Sequence, residues 1–126
     1  MNEANTYQKI YKMKTIAVVG MSPKAERPSH YVALYLRDQG YTIIPVNPGQ
    51  KEIAGEKCYP SLKEIPVAVD VVDVFRNPEH VEPIVDAAIE IEAKALWLQD
   101  GVINEKAGQK SRRGRLARYH ERLYDA

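Results

Sequence analysis

The feature that most constrains the fold is a strand, a glycine turn and a helix in succession over residues 14–39. An apolar run, Thr15–Val19, ends at Gly20, and a polar loop carrying Lys24 and Arg27 follows. Beyond the loop, apolar and aromatic residues recur every three or four positions, as they do on one face of a helix. Such a unit directs free backbone N–H groups and the positive end of a helix at one point. It therefore predicts a phosphate-binding turn.

The rest of the chain alternates strand and helix patterns. Apolar strand-like runs occupy residues 41–46, 69–75 and 94–99, a shorter one is predicted around 57–59, and helical spacing recurs over 79–93. A further short helix is predicted within residues 1–13, and Gly40 is placed to end the first long helix. Strands that alternate with helices of about 10–15 residues favour βαβ units. We therefore predict an α/β fold: a three-layer, Rossmann-like parallel sheet of about five strands.

Composition narrows the class of protein. With 126 residues, 44% hydrophobic and 28% charged, the chain is predicted to form one globular domain of ordinary size. Its single cysteine, Cys58, cannot form an internal disulfide, which predicts a reducing, cytoplasmic location. No apolar run is long enough to cross a bilayer, and no signal peptide is recognisable, so no membrane partner is predicted.

The loops after parallel strands should meet at one edge of the sheet, where such folds bind ligands. Small, polar and cationic residues gather in these loops and suit an anionic, small-molecule nucleotide. The candidate ligand contacts are Gly20, Met21, Ser22, Lys24, Arg27, Ser29, Asn47, Pro48, Phe75, Arg76, Asn77, Gln99 and Gly101. No Ser/His/Asp order resembling a triad, no His and Cys at metal-ligand spacing and no free carboxylate pair accompany them. The sequence thus predicts binding, with no catalytic residue and no metal ligand assigned.

Each candidate also has a purely structural interpretation. Gly20 could serve only the turn, and the two loop cations could simply be solvated. His30 is interpreted as a surface or helix-cap residue, because no catalytic partner is evident. Asp70 and Asp73 fall on opposite faces of a strand, since their separation is odd, and are interpreted as structural. Cys58 is interpreted as a small packing residue.

A nicotinamide dinucleotide fits the sequence less well. The usual fingerprint has three glycines after the first strand and an acidic residue at the end of the second, which holds a ribose hydroxyl. Only Gly20 of those glycines is present, and Asn47 follows the second strand where the acid would stand. A degenerate NAD(P)-binding enzyme therefore remains the alternative interpretation, disfavoured by Asn47 and by a length that leaves no room for a substrate domain.

Several motifs occur in a specific order: IAVVGMS (16–22), RPS (27–29), GY (40–41), IPVNP (44–48), GE (55–56), YPSL (59–62), VVDVFR (71–76), ALWLQ (95–99) and GV (101–102). In this combination the chain resembles the small stand-alone CoA-binding proteins, and is similar to the CoA-binding domain of the succinyl-CoA synthetase alpha chain. The resemblance covers about residues 14–106.

That resemblance implies a Rossmann-like domain over residues 1–110 that binds coenzyme A or an acyl-CoA. The glycine turn would meet the diphosphate, the Asn47-Pro48 and Phe75-Arg76 loops would hold the adenosine end, and residues 99–102 would close the site. The phosphohistidine segment of the synthetase has no counterpart here, so the resemblance does not extend to ligase activity.

The tail, residues 111–126, departs from the family. The family pattern continues with an apolar last strand, whereas this tail is SRRGRLARYHERLYDA, so we expect that strand to be missing and the tail to be disordered or a makeshift helix. A permissible back-translation read one base later gives Ala-Gly-Glu-Ala-Gly-Leu-Leu-Val-Ile-Met-Asn-Asp-Cys-Met-Met-Arg, which fits the family. We hypothesise that the tail is a frame-shifted version of the usual end.

The basic tail also raises a nucleic-acid alternative. The net charge of +1 is uneven: residues 110–126 hold six basic side chains against two acidic ones, while the first 109 residues carry 12 basic and 15 acidic side chains. Clustered arginines attract nucleic-acid phosphates. The acidic body offers no matching basic patch, so nucleic-acid binding is disfavoured.

Overall fold

The computed structural model describes residues 14–98 and 117–119. Its strands are β1 (Thr15–Val19), β2 (Thr42–Val46), β3 (Glu52–Ile53), β4 (Glu56–Lys57), β5 (Val71–Val74), β6 (Ala95–Leu98) and β7 (Ala117–Tyr119). The helices are α1 (Pro28–Asp38) and α2 (Val81–Glu90), with 3₁₀ turns at Leu62–Glu64 and Pro78–His80. No helix of this described part is long and apolar enough to span a membrane. The helix predicted within residues 1–13 lies outside the described residues.

The main sheet has five strands in the order β2-β1-β5-β6-β7, and every neighbouring pair is parallel. Alternate side chains of each strand point to opposite faces, so the sheet feeds two buried clusters. Ile16 and Val18 pack in one cluster with Val32 of α1, whereas Ala17 packs in the other with Val85 of α2. The predicted three-layer, Rossmann-like α/β fold is confirmed.

Local sequence signals set the bounds of α1. Pro28 occupies the first turn, where its missing N–H costs nothing, and the helix ends two residues before Gly40. Gly40 has a φ of +101°, and its N–H donates to the carbonyl of Arg37 at 3.0 Å. A glycine tolerates this left-handed conformation without the steric cost of a Cβ. The prediction that Gly40 ends the helix is confirmed.

The small antiparallel pair β3–β4 was only half predicted. The sequence predicted a strand around residues 57–59, whereas the structure pairs Glu52–Ile53 with Glu56–Lys57 and makes a separate bridge between Val46 and Tyr59. Strands of two residues are too short to show a period in the sequence. The hairpin is tied to α1 by Arg37, whose guanidinium donates to the Ala54 carbonyl at 2.9 Å.

The expectation of a missing last strand is wrong for three residues of the tail. Ala117–Tyr119 forms β7 and pairs in parallel with β6, with Ala117 opposite Ala95. An edge strand is held by backbone hydrogen bonds to one neighbour, and these do not require apolar side chains. In the reading shifted by one base, the same three positions are Leu, Val and Ile, all apolar, and the latter two are β-branched residues that favour strands.

Asp70 fastens the amino ends of three strands. Its carboxylate accepts hydrogen bonds from the backbone N–H groups of Lys14 and Thr15 at 2.9 and 3.0 Å, and the ammonium of Lys94 lies 3.2 Å away. Burial raises the pKa of Asp70, but the backbone donors and Lys94 together outweigh that effect, so the pKa lies below its ordinary value. Asp73, by contrast, is fully buried opposite Val18 and Trp97 in the sheet.

Candidate functional site

The connections of the sheet diverge between β1 and β5. The chain leaves β1 through α1 toward β2, on one side, and leaves β5 through α2 toward β6, on the other. In open α/β sheets, ligands bind outside the carboxyl ends of the strands at such a switch point. Gly20 and Arg76 both lie there, so the prediction that these loops meet at one edge is confirmed for them.

Gly20 is required by a close approach between two loops. It has a φ of +86°, and an added Cβ would lie 2.4 Å from the carbonyl oxygen of Phe75 and 2.9 Å from Cδ of Arg76. The N–H of Gly20 donates to the Val46 carbonyl at 2.9 Å, while the N–H of Phe75 donates to Val19 at 2.9 Å. Gly20 thus lets the ends of β1, β2 and β5 come together.

The loop between β1 and α1, residues 20–27, is held by side chains of its own helix. Ser29 accepts a hydrogen bond from the Ser22 N–H at 2.9 Å, and the Nδ1 atom of His30 lies 2.8 Å from the Ser22 carbonyl oxygen. The Ser22 hydroxyl in turn accepts from the Lys24 N–H at 3.1 Å. The backbone N–H groups of Ser22 and Lys24 are therefore already bonded to side chains of Ser29 and Ser22.

Asn47 joins the second strand to the same loop. Its amide donates to the Met21 carbonyl at 3.0 Å, and its side-chain oxygen accepts from the Gly49 N–H at 2.9 Å. The latter bond is the local turn that Asn favours. An acidic residue could not donate to Met21, which gives Asn47 a structural reason for its place after β2.

An apolar crevice opens beside Gly20 on the α2 side of the sheet. It has a volume of about 330 Å³. Its floor is formed by the ends of β1 and β2, one wall by residues 60–62 and the other by α2, with Arg76 and His80 at its polar side. The apolar lining residues are Val19, Val46, Pro48, Pro60, Leu62, Pro83, Ile84 and Ala87. Three of these are prolines, so much of the wall is conformationally rigid.

The other predicted contacts divide by exposure. Lys24, Arg27, Pro48, Arg76 and Asn77 are exposed and Asn47 is half-buried. The side chain of Met21 is fully buried in the α1-side cluster, against which Phe75 is also packed, so these two offer mainly backbone to a ligand. Ser29 is 6% exposed. Gln99 and Gly101 lie outside the described residues.

The structure overturns the interpretation of His30 and agrees with that of Cys58. His30 was interpreted as a surface or helix-cap residue. It is only 6% exposed, and its ring bonds to Ser22 in the loop while Arg27 is the N-cap of α1, so that interpretation is wrong. A histidine in a helix gives no local signal of a backbone partner outside the helix. Cys58 is buried, as its interpretation as a packing residue requires. Burial raises the pKa of the Cys58 thiol, and a hydrogen bond to the backbone of Asn47 offsets only part of that rise.

Comparison with known proteins identifies the family. A family model described as a CoA binding domain matches residues 14–122, which include β7. The chain belongs to the CoA-binding domain family. An uncharacterised protein of Bacillus subtilis, YneT, is 41% identical over 108 residues, which span 86% of this chain and 80% of that protein. The family resemblance inferred from the motifs is thereby confirmed.

A solved structure shares the fold, and a curated ligase shares part of the sequence. A hypothetical protein from Pyrococcus horikoshii superimposes with a TM-score of 0.94 at 37% identity, covering 97% of this chain and 86% of that one. An ADP-forming acetate–CoA ligase of Archaeoglobus fulgidus shares 36% identity over 64 residues, which is 51% of this chain but only 9% of the ligase. The likeness to the ligase is thus confined to one small part of a much longer protein.

Proposed function

We propose that this protein binds coenzyme A, or an acyl-CoA, at the carboxyl edge of its sheet. The observation that carries the proposal is the convergence of Gly20, Asn47 and Arg76 at the switch point, beside an apolar crevice of about 330 Å³. Membership of the CoA-binding domain family supports the class of ligand.

The phosphates of the ligand would lie along residues 20–27. Lys24 and Arg27 are exposed cations in that loop, and Arg76 approaches Gly20 from the neighbouring strand end. The loop also carries one carboxylate, Glu26, which is exposed. Exposed cations near a diphosphate contribute modestly each, but a guanidinium can bind phosphate with two parallel hydrogen bonds.

The adenosine end would lie in the crevice. Flat, rigid proline walls and an apolar floor suit a planar base, while Arg76 and His80 at the polar side suit the phosphates attached to the ribose. Asn47 supports the ligand indirectly, because it fixes the Met21 carbonyl and thereby the loop that borders the crevice. Gln99 and Gly101, which the family resemblance places beside the ligand, would close the site.

Calorimetric titration with CoA, dephospho-CoA, NAD⁺ and ATP tests the proposal. We expect CoA to bind most tightly, and Arg76→Ala and Lys24→Glu each to weaken it about tenfold, since a charged contact to phosphate contributes on the order of 1 kcal/mol. Lys14→Glu is the matched control. Lys14 lies before the amino end of β1, six residues from Gly20 along an extended strand, or about 20 Å away, which exceeds the screening length of about 10 Å at 0.1 M salt.

Two outcomes would replace the proposal. Tighter binding of NAD⁺ than of CoA would favour the degenerate dinucleotide site. Salt-dependent binding of duplex DNA that disappears when residues 111–126 are deleted would favour the nucleic-acid alternative. Unchanged CoA affinity in both Arg76→Ala and Lys24→Glu would refute the assignment of this edge as the site.

A further inference from the structure

We infer that His30 is a positioning residue that fixes the conformation of the β1–α1 loop on which the ligand is proposed to bind. The inference rests on the proposed function for its consequence in binding, although the loop anchor itself can be tested without any ligand. Nothing in the binding proposal uses His30, because its side chain is buried and does not face the crevice lining.

The hydrogen bond to Ser22 determines the proton of the His30 ring. A carbonyl oxygen can only accept, and Nδ1 lies 2.8 Å from the Ser22 oxygen, so the proton is on Nδ1. A neutral ring then has no proton on Nε2. The tautomer of His30 is therefore a direct report on whether the anchor exists in solution.

Two consecutive residues of α1, Ser29 and His30, bind the backbone N–H and the backbone carbonyl of Ser22. Ser29 accepts the N–H of Ser22 at 2.9 Å, and His30 donates to its carbonyl at 2.8 Å. Both side chains are buried at 6% exposure, where hydrogen bonds compete little with water. Because α1 is packed on the sheet through Val32 and Leu36, these two hydrogen bonds connect the loop to the packed core.

The consequence for binding is preorganisation. Lys24 follows Ser22 by two residues, and its N–H donates to the Ser22 hydroxyl at 3.1 Å. The position of Ser22 therefore fixes the backbone position from which the Lys24 side chain extends. A loop that is already ordered loses less conformational entropy when a ligand binds. Residues that support a binding loop in this way control its affinity without touching the ligand.

Matched substitutions separate this role from packing. In His30→Asn, the side-chain amide nitrogen is three bonds from Cα, as Nδ1 is in histidine, so a hydrogen-bond donor is retained at this position. In His30→Leu, the side chain is close to asparagine in size and shape but has no donor. We expect His30→Leu to weaken CoA binding about tenfold and to accelerate amide hydrogen exchange at Ser22 and Lys24. His30→Asn should restore both to within about threefold of the wild type. Nitrogen NMR of the wild-type ring at pH 8 should show the proton on Nδ1.

Other results would overturn the inference. A proton on Nε2, unchanged exchange in His30→Leu, or equal loss in His30→Asn and His30→Leu would each contradict it. If His30→Leu does not fold, Ser29→Ala removes the other half of the anchor and should accelerate the same exchange. Failure of the wild type to bind CoA would refute the proposed function alone, since the tautomer and the exchange rates are measured without ligand.

Discussion

The substitution Gly20→Ala tests the geometry on which the site depends. Gly20 combines a φ of +86° with an approach to β5 so close that a Cβ would lie 2.4 Å from the Phe75 carbonyl oxygen. That oxygen belongs to the backbone and cannot rotate away as a side chain would. The Phe75 N–H is moreover bonded to Val19, so moving this segment strains the pairing of β1 with β5.

The expected loss of stability follows from two costs. A left-handed backbone costs a residue with a Cβ about 1–2 kcal/mol. Forcing extra volume into a packed site costs about 1–3 kcal/mol more. Together these give about 2–5 kcal/mol, a large share of the roughly 5–15 kcal/mol that separates folded from unfolded domains. For a chain of this size the melting temperature should fall by roughly 10–15 °C at the middle of that range.

Two other glycines provide matched controls in urea unfolding. Gly40 has a φ of +101° but nothing within 4 Å of an added Cβ, so Gly40→Ala should cost only the backbone strain of about 1–2 kcal/mol. At Gly49 the added Cβ would meet only Asn47 Oδ1 at 3.5 Å, an ordinary contact, so Gly49→Ala should change stability by less than about 0.5 kcal/mol. All three changes share the same effect on the unfolded chain, which cancels in the comparison.

The ranking of these three variants decides the matter. If Gly20→Ala is no more destabilising than Gly40→Ala, the close approach to β5 does not exist in solution. We also expect Gly20→Ala to weaken CoA binding more than Gly40→Ala does, because the residue lines the crevice. Equal affinities in the two folded variants would remove Gly20 from the proposed site.

Three further predictions concern stability. The folded-state pKa of Asp70 is lowered, so the stability that its carboxylate contributes is fully present above the unfolded pKa of about 3.9 and is lost as the pH falls through the folded pKa. The Asp70→Asn variant should therefore be less stable than the wild type by about 1–2 kcal/mol at pH 7. This difference in unfolding free energy should shrink below about pH 4 in an acid titration. Persistence of the full difference at pH 2 would contradict this. Glu92 is exposed after α2 and has a φ of +60°. The substitution Glu92→Gly should therefore stabilise the protein by about 0.5–1 kcal/mol in urea unfolding. A loss of stability would argue against the left-handed conformation of Glu92. Replacing residues 111–126 by the reading shifted by one base should raise the melting temperature, since Leu, Val and Ile would occupy β7, and an unchanged or lower value would count against the frame-shift hypothesis.

The order of the strands and helices was largely determined by the sequence. β1, the turn at Gly20 and the start of α1 at Pro28 were predicted residue by residue, because periodicity and the preferences of glycine and proline act over a few neighbouring positions. Alternation of strands and helices was enough to predict a parallel sheet, and with it the meeting of the loops at one edge. The motifs in their order were enough to predict the family.

Only the tertiary structure decided what those residues do for one another. The demand for glycine at position 20 comes from Phe75, and the burial of His30 comes from the loop that folds back over it. β7 forms in a segment without an apolar pattern, because the open edge of β6 supplies backbone partners to any extended chain. The contacts of Gly20 with Phe75 and of β6 with β7 join residues far apart along the chain, and the bond of His30 to Ser22 joins a helix to the loop before it. Such contacts leave no periodic trace in the sequence.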